Sequence, residues 1–142
     1  MFAKQLSVFI ENRQGRLGEV LSVLGENGVN ILSMSLADTT EYGLLRLIVN
    51  DPELGKDKLT EAGFSSLLSD VLVIQIPHKA GSLQNLLKCI EQAGVNIEYM
   101  YGLSLDGAEA YVVLKASDVA KMEKLLSENG VKTLTNDCIK KL

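Results

Sequence analysis

The chain has no tryptophan, one histidine and two cysteines in 142 residues, and aromatic residues make up only 5% of it. The two thiols, Cys89 and Cys138, show no CxxC spacing and cannot form a metal cluster between them, so they are expected as reduced thiols of a cytosolic chain. His78 stands alone, which excludes a histidine-rich metal site and an HExxH helix. No EF-hand, Walker loop, GxSxG elbow or GxGxxG turn is present. No apolar run reaches the roughly 18 residues that a membrane helix requires, and Met1-Phe2-Ala3-Lys4-Gln5 is too polar for a signal peptide. Basic residues are not in excess: 14 Lys and Arg face 18 Asp and Glu, a net charge of −4. The sequence therefore predicts a soluble, cytoplasmic protein with neither nucleic acid nor membrane as a partner, and with no cofactor.

What is present is a core-forming composition, 46% hydrophobic and 23% charged, which excludes disorder, collagen-like repeats and coiled coil. The charge is unevenly divided. Residues 1–70 carry 6 basic and 10 acidic side chains, whereas residues 71–142 carry 8 of each.

The dominant feature is an internal repeat. Gly15-Arg16-Leu17-Gly18-Glu19-Val20-Leu21, followed by Gly28-Val29-Asn30-Ile31 and Met34, recurs 66 residues later as Gly81-Ser82-Leu83-Gln84-Asn85-Leu86-Leu87, followed by Gly94-Val95-Asn96-Ile97 and Met100. Eight of the 20 aligned positions are identical, where composition alone gives roughly one or two. The chain is a duplication, and it divides into residues 1–69 and 70–142.

Each half reads βαββαβ. Leu6–Ile10 and Leu72–Ile76 are short and rich in β-branched residues, as strands are. Leu17, Val20, Leu21 and Leu24 recur at helical spacing, as do Leu83, Leu86, Leu87 and Ile90. Gly28 and Gly94 stand where a left-handed cap ends a helix, and Val29-Asn30-Ile31 and Val95-Asn96-Ile97 open a second strand. Third strands follow at 44–49 and 110–116. Asp51 and Asp118 start second helices, which carry Leu54, Leu59 and Ala62 in one half and Val119, Met122, Leu125 and Leu126 in the other. These end at Gly63 and Gly130, before weak last strands at 65–68 and 132–134. The fold class is α+β, two ferredoxin-like βαββαβ units. No Pro/Gly/Ser linker separates them, so side-by-side packing is expected.

Chemically the chain offers few convergent reactive groups. His78 in a polar turn is a hydrogen-bonding residue before it is a general base, and Cys89, equivalent to Val23, reads as a small core hydrophobe. The informative segments are the strand-to-helix turns, Asn12-Arg13-Gln14-Gly15-Arg16-Leu17 and His78-Lys79-Ala80-Gly81-Ser82-Leu83. A glycine there permits positive φ or close approach of a ligand, and the helix start that follows presents unpaired N–H groups suited to a carboxylate. A glycine is also the ordinary residue of any such turn.

A polar residue three before the turn glycine, then Gly-x-Leu, an apolar helix and Gly-Val-Asn-Ile, resembles the ACT domain, a small regulatory module that binds amino acids. The likeness runs over about residues 4–63 and again over 70–139, strongest from Ala93 to Tyr101. Gln14 and Ala80 stand where that family usually has proline. The resemblance implies that two units associate, commonly into one extended sheet, with an amino acid bound at their interface near the turns. It assigns Asn12 and His78 to the ligand's ammonium or side chain. The amides of Gly15, Arg16 and Leu17 would hold the carboxylate, with Gly81, Ser82 and Leu83 as their counterpart, and Arg13 and Gln14 of the same turn are counted among the ligand-binding residues. Asn30, Ile31, Asn96, Ile97 and Tyr99 would form the facing wall. Met34 and Met100 are read as core residues before contacts.

The expected function is a non-catalytic regulatory protein that binds a free amino acid and acts through a homodimer or a regulated partner enzyme. A ligand-free oligomerisation module and a small enzyme on the same scaffold are the alternatives, since fold does not fix function. The chemical difference between Arg13/Arg16 and Lys79/Ser82 points to one occupied turn rather than two.

Overall fold

The structure is a computed structural model of the full chain. It describes residues 2–11, 13–38, 41–77, 79–103 and 109–140, the side chains of Asp38 and Glu109 excepted. Its elements run β1 (Ala3–Glu11), α1 (Arg16–Glu26), β2 (Ile31–Asp38), β3 (Tyr42–Val49), α2 (Pro52–Glu61), β4 (Ser65–Pro77), α3 (Ser82–Gln92), β5 (Ile97–Leu103), β6 (Glu109–Ala116), α4 (Val119–Glu128), β7 (Lys132–Leu134) and α5 (Asn136–Lys140). Contacts divide the chain into two compact units: Lys4–Ser69 with the segment from Asp137, and Asp70–Asn136 with the residues up to Ala3.

In the first unit the strand order is β2-β3-β1-β4, and in the second β5-β6-β4-β7. Both are the antiparallel order of a ferredoxin-like βαββαβ fold. The strand alternation explains the cores. Leu6, Val8 and Ile10 of β1 share a face with Leu45, Leu47 and Val49 of β3, and Val20 and Leu24 of α1 and Leu59 of α2 close over them. In the second unit Leu72, Ile74 and Ile76 meet Val112 and Leu114 beneath Leu86, Ile90, Met122 and Leu126.

Helix ends follow one device. After α1, α2, α3 and α4 a glycine takes positive φ (Gly28, Gly63, Gly94, Gly130) and the next residue's N–H donates back five residues. Those bonds are Val29 to Leu24, Phe64 to Leu59, Val95 to Ile90 and Val131 to Leu126, the Schellman pattern that satisfies carbonyls the helix leaves open.

The structure differs from the sequence reading in five places. The weak strand at 65–68 and the strand at 72–76 are one continuous 13-residue β4, because no glycine or proline falls between Ser65 and Ile76 to break it. The second strands begin at Ile31 and Ile97, two residues later than expected, because Val29 and Val95 are spent closing the preceding helices. Ala62 lies outside the apolar face of α2: it is the exposed C-cap, and Pro52, Gly55 and Leu59 form the buried stripe. Met34 is 43% exposed on edge strand β2, whereas its counterpart Met100 packs on its core as expected. The short helix α5, with Ile139 buried, was not foreseen.

Candidate functional site

The four long helices start in two different ways. Asp51 caps α2 by accepting the Leu54 N–H at 3.2 Å, and Asp118 caps α4 by accepting that of Lys121 at 3.0 Å. Helices α1 and α3 start on Gly15 (φ 87, ψ −11) and Gly81 (φ 86, ψ −12), with no side-chain cap. Both turns have the same internal bonds. Arg13 and Lys79 N–H donate to the carbonyls of Glu11 and Pro77, Arg16 and Ser82 N–H to those of Arg13 and Lys79, and Glu19 and Asn85 N–H to those of Gly15 and Gly81. Among the described residues nothing accepts the amides of Leu17 and Gly18, or of Leu83 and Gln84. Each turn therefore aims two open donors, reinforced by the positive end of the helix dipole, at whatever lies beyond it.

The side chains around these turns diverge. In the first unit Arg16 lies over the ring of Phe64, 4.3 Å from its centroid, while its Nη1 donates to Glu19 Oε2 at 2.6 Å. Its side chain is only 18% exposed. Arg13 pairs with Glu11 at 2.8 Å, an exposed ion pair that contributes little to stability. In the second unit Ser82 stands at the position of Arg16, Asn85 at that of Glu19 and Val131 at that of Phe64.

Two open grooves flank the first turn of α3. One, about 450 Å³, is lined by Ile76, Pro77, Lys79, Ala80, Ser82, Leu83, Ala110 and Val112. The other, about 420 Å³, lies toward the end of α4 and is lined by Asn85, Leu86, Cys89, Asn129, Gly130 and Val131, together with Ser82, Lys79 and residues 75–77. Each falls within the size range of small-molecule sites.

Of the residues named from sequence, Asn12 and His78 lie outside the described residues. Arg13, Gln14, Gly15, Arg16 and Leu17 are gathered at the first turn, and Gly81, Ser82 and Leu83 at the second. Asn30, Ile31, Asn96, Ile97 and Tyr99 are not near the turn of their own unit. On β3, Tyr42 pairs with Glu11 at the turn end and Val49 with Ile31 at the other, seven residues away, roughly 24 Å of strand. On β6 the residues opposite Pro77 and Ile97 are likewise Glu109 and Ala116. Asn30 and Asn96 tie the start of the second strand to the end of the third: their carbonyls accept the N–H of Asn50 and Ser117, both at 3.1 Å. Ile31 and Ile97 pack against the cores. Sequence reading missed Asn85, Asn129 and Val131. The signal was available in the repeat, where these positions hold Glu19, Ala62 and Phe64 in the first half. Cys89, taken as a core hydrophobe, is half-buried in the groove wall.

Among the described residues no group of three or more His, Cys, Asp or Glu side chains is placed to hold a metal ion, and no helix is long and apolar enough to cross a membrane.

Two βαββαβ units, each with a helix that starts on a left-handed glycine, define a tandem ferredoxin-like protein. The whole chain, residues 1–142, matches the ACT domain pair, and it belongs to that family. A protein from Bacteroides thetaiotaomicron of known crystal structure is 37% identical, covering 100% of this chain and 98% of that one, with a TM-score of 0.94. The ligand-free regulatory subunit of aspartate kinase from Thermus thermophilus shares the fold at 14% identity, covering 88% of this chain and 90% of that one, with a TM-score of 0.64. The corresponding subunit from Thermus flavus does so at 15% identity over the same shares, with a TM-score of 0.58. No curated protein matches the chain.

Proposed function

We propose that this chain is a non-catalytic regulatory protein that binds a free amino acid at its strand-to-helix turns and signals through a regulated partner enzyme or a second copy of itself. The observation that carries this reading is the contrast between helix starts. The chain caps α2 and α4 with aspartate, yet starts α1 and α3 on left-handed glycines that leave amides open for a carboxylate. Membership of a family of paired ACT domains, and a fold shared with regulatory subunits of aspartate kinase, support the same reading. The two units together account for the chain, and among the described residues no group of three or more His, Cys, Asp or Glu side chains is placed to hold a metal ion. On this reading the output passes through a coupled equilibrium, in which ligand and partner each change the other's affinity by the same factor.

The test is calorimetry and thermal shift of the full chain against each of the twenty amino acids, and a flat response throughout overturns the reading. Gly15→Val and Gly81→Val are the matching variants. A Cβ at either glycine meets nothing within 4 Å, so the cost is confined to the left-handed backbone and to the turn's approach to ligand. At least one of them abolishes binding while the chain stays folded by circular dichroism.

A further inference from the structure

We infer that the amino-acid site of this chain is the groove of the second unit between α3 and the end of α4, and that Arg16 fills the counterpart of that groove in the first unit. The inference rests on the proposed function and narrows it to one site per chain. Its basis is a comparison of the repeats position by position. The wall formed by Ser82, Asn85 and Val131 corresponds to Arg16, Glu19 and Phe64. In the first unit those three side chains are engaged with one another, the guanidinium stacked on the ring and bonded to the carboxylate. The chain thus supplies its own occupant there: a planar cation over an apolar floor, held at one edge by an anion. In the second unit all three are smaller or neutral, and an open groove of about 420 Å³ lies along their side chains.

The chemistry of that wall selects the ligand. Among the described residues no carboxylate lines the groove, and Lys79 at its mouth makes no ion pair with any of them, which suits an incoming carboxylate. Asn129 donates its amide nitrogen to the Leu125 carbonyl at 2.8 Å. Its Oδ1 is therefore the atom left to accept, and an ammonium is the matching donor. The first unit has Ala62 at this position. Leu86, Val131 and the Cys89 thiol form an apolar floor. Cation at one edge, acceptor at the other and apolar floor between them fit a zwitterionic amino acid with a short, uncharged side chain. Among its described lining residues the neighbouring 450 Å³ groove has Ser82 as its one side-chain acceptor, so it offers an ammonium less than the Asn129 edge does.

Cys89 provides the readout. Each of the twenty amino acids is added to the full chain while iodoacetamide labelling of Cys89 is followed by mass spectrometry, with the exposed Cys138 as internal control. The amino acid that raises Tm is expected to slow labelling of Cys89 by more than about tenfold at concentrations well above Kd, and to leave Cys138 unchanged. Calorimetry gives one site per chain. Ser82→Arg, which installs the first unit's plug, removes that site, whereas Arg16→Ser retains it. Because Ser82→Arg can disturb folding, Asn129→Ala is the second variant. It introduces the residue the first unit tolerates and weakens binding about tenfold. If an amino acid binds while Cys89 labelling is unchanged, or if Arg16→Ser abolishes binding, the site lies elsewhere: the inference falls and the proposed function stands. If no amino acid raises Tm, both fall.

Discussion

Replacing Gly55 by alanine sets two effects of similar size against each other, and the structure decides the sign. Gly55 lies inside α2 on its buried stripe. An alanine in a helix interior is favoured over glycine by about 1 kcal/mol, so propensity alone predicts a more stable protein. A Cβ at Gly55 would stand 3.0 Å from Leu6 Cδ2, 3.3 Å from Leu24 Cδ2 and 3.6 Å from Val29 Cγ1. Leu6 and Leu24 are both 0% exposed, so neither has open space to move into. Overpacking of this kind costs about 1–3 kcal/mol, and the balance runs from about zero to a loss of 2 kcal/mol. The control is Gly25→Ala near the end of α1, where a Cβ meets nothing within 4 Å and the gain should approach about 0.5–1 kcal/mol. Urea unfolding of both variants, followed by far-UV circular dichroism, is the assay. Midpoints should move in opposite directions, or at least differ by the equivalent of about 1 kcal/mol with Gly55→Ala the less stable. Equal stabilisation by the two alanines would refute the claim that close packing of α2 on β1 and α1 requires glycine. The second repeat has Met122, fully buried, at this position, so the two units set the separation of this helix from its sheet differently.

Asp51→Ala and Asp118→Ala each remove a helix cap and should cost about 1 kcal/mol, read as a lower urea midpoint; Asp51→Asn should restore most of it. Leu59→Ala, at a fully buried position of the first core, should cost about 2–5 kcal/mol by the same assay, and a loss below 1 kcal/mol would mean the core collapses around the gap. Gly94→Ala forces a side chain into the left-handed region at φ 72 and should cost about 1–2 kcal/mol even though its Cβ would meet no neighbour, an effect visible as a lower Tm.

Most of the element order was legible because its signals are local. Leu6, Val8 and Ile10 alternate, Val20 and Leu24 fall at helical spacing, and the glycines at 28, 63, 94 and 130 mark left-handed caps whatever surrounds them. Errors arose where a local signal had two outcomes. Ala62 has the spacing of the buried stripe of α2, but the Schellman turn at Gly63 ends the helix one residue before it. Met34 and Met100 are the same residue in the same register, yet one is exposed and the other packs on its core, which no pattern within a single strand reveals. Asn30, Ile31, Asn96, Ile97 and Tyr99 lie at the end of their own unit away from its turn, and the reason is geometric. A strand-helix-strand unit brings the second strand in at the end opposite the turn, and seven residues of extended chain separate them.

By itself the sequence determined the duplication, the two βαββαβ units and the pair of glycine turns, because periodicity, caps and repeats are written in neighbouring residues. It also held the difference between the turns, Arg16 against Ser82, but not its meaning. Only the tertiary structure brings Phe64, 48 positions from Arg16, beneath its guanidinium, and Asn129 and Val131 beside Ser82 and Cys89. Whether a turn is filled by its own side chain or left open to a ligand depends on contacts between residues far apart in the chain, and those exist only once the helices have docked on the sheet.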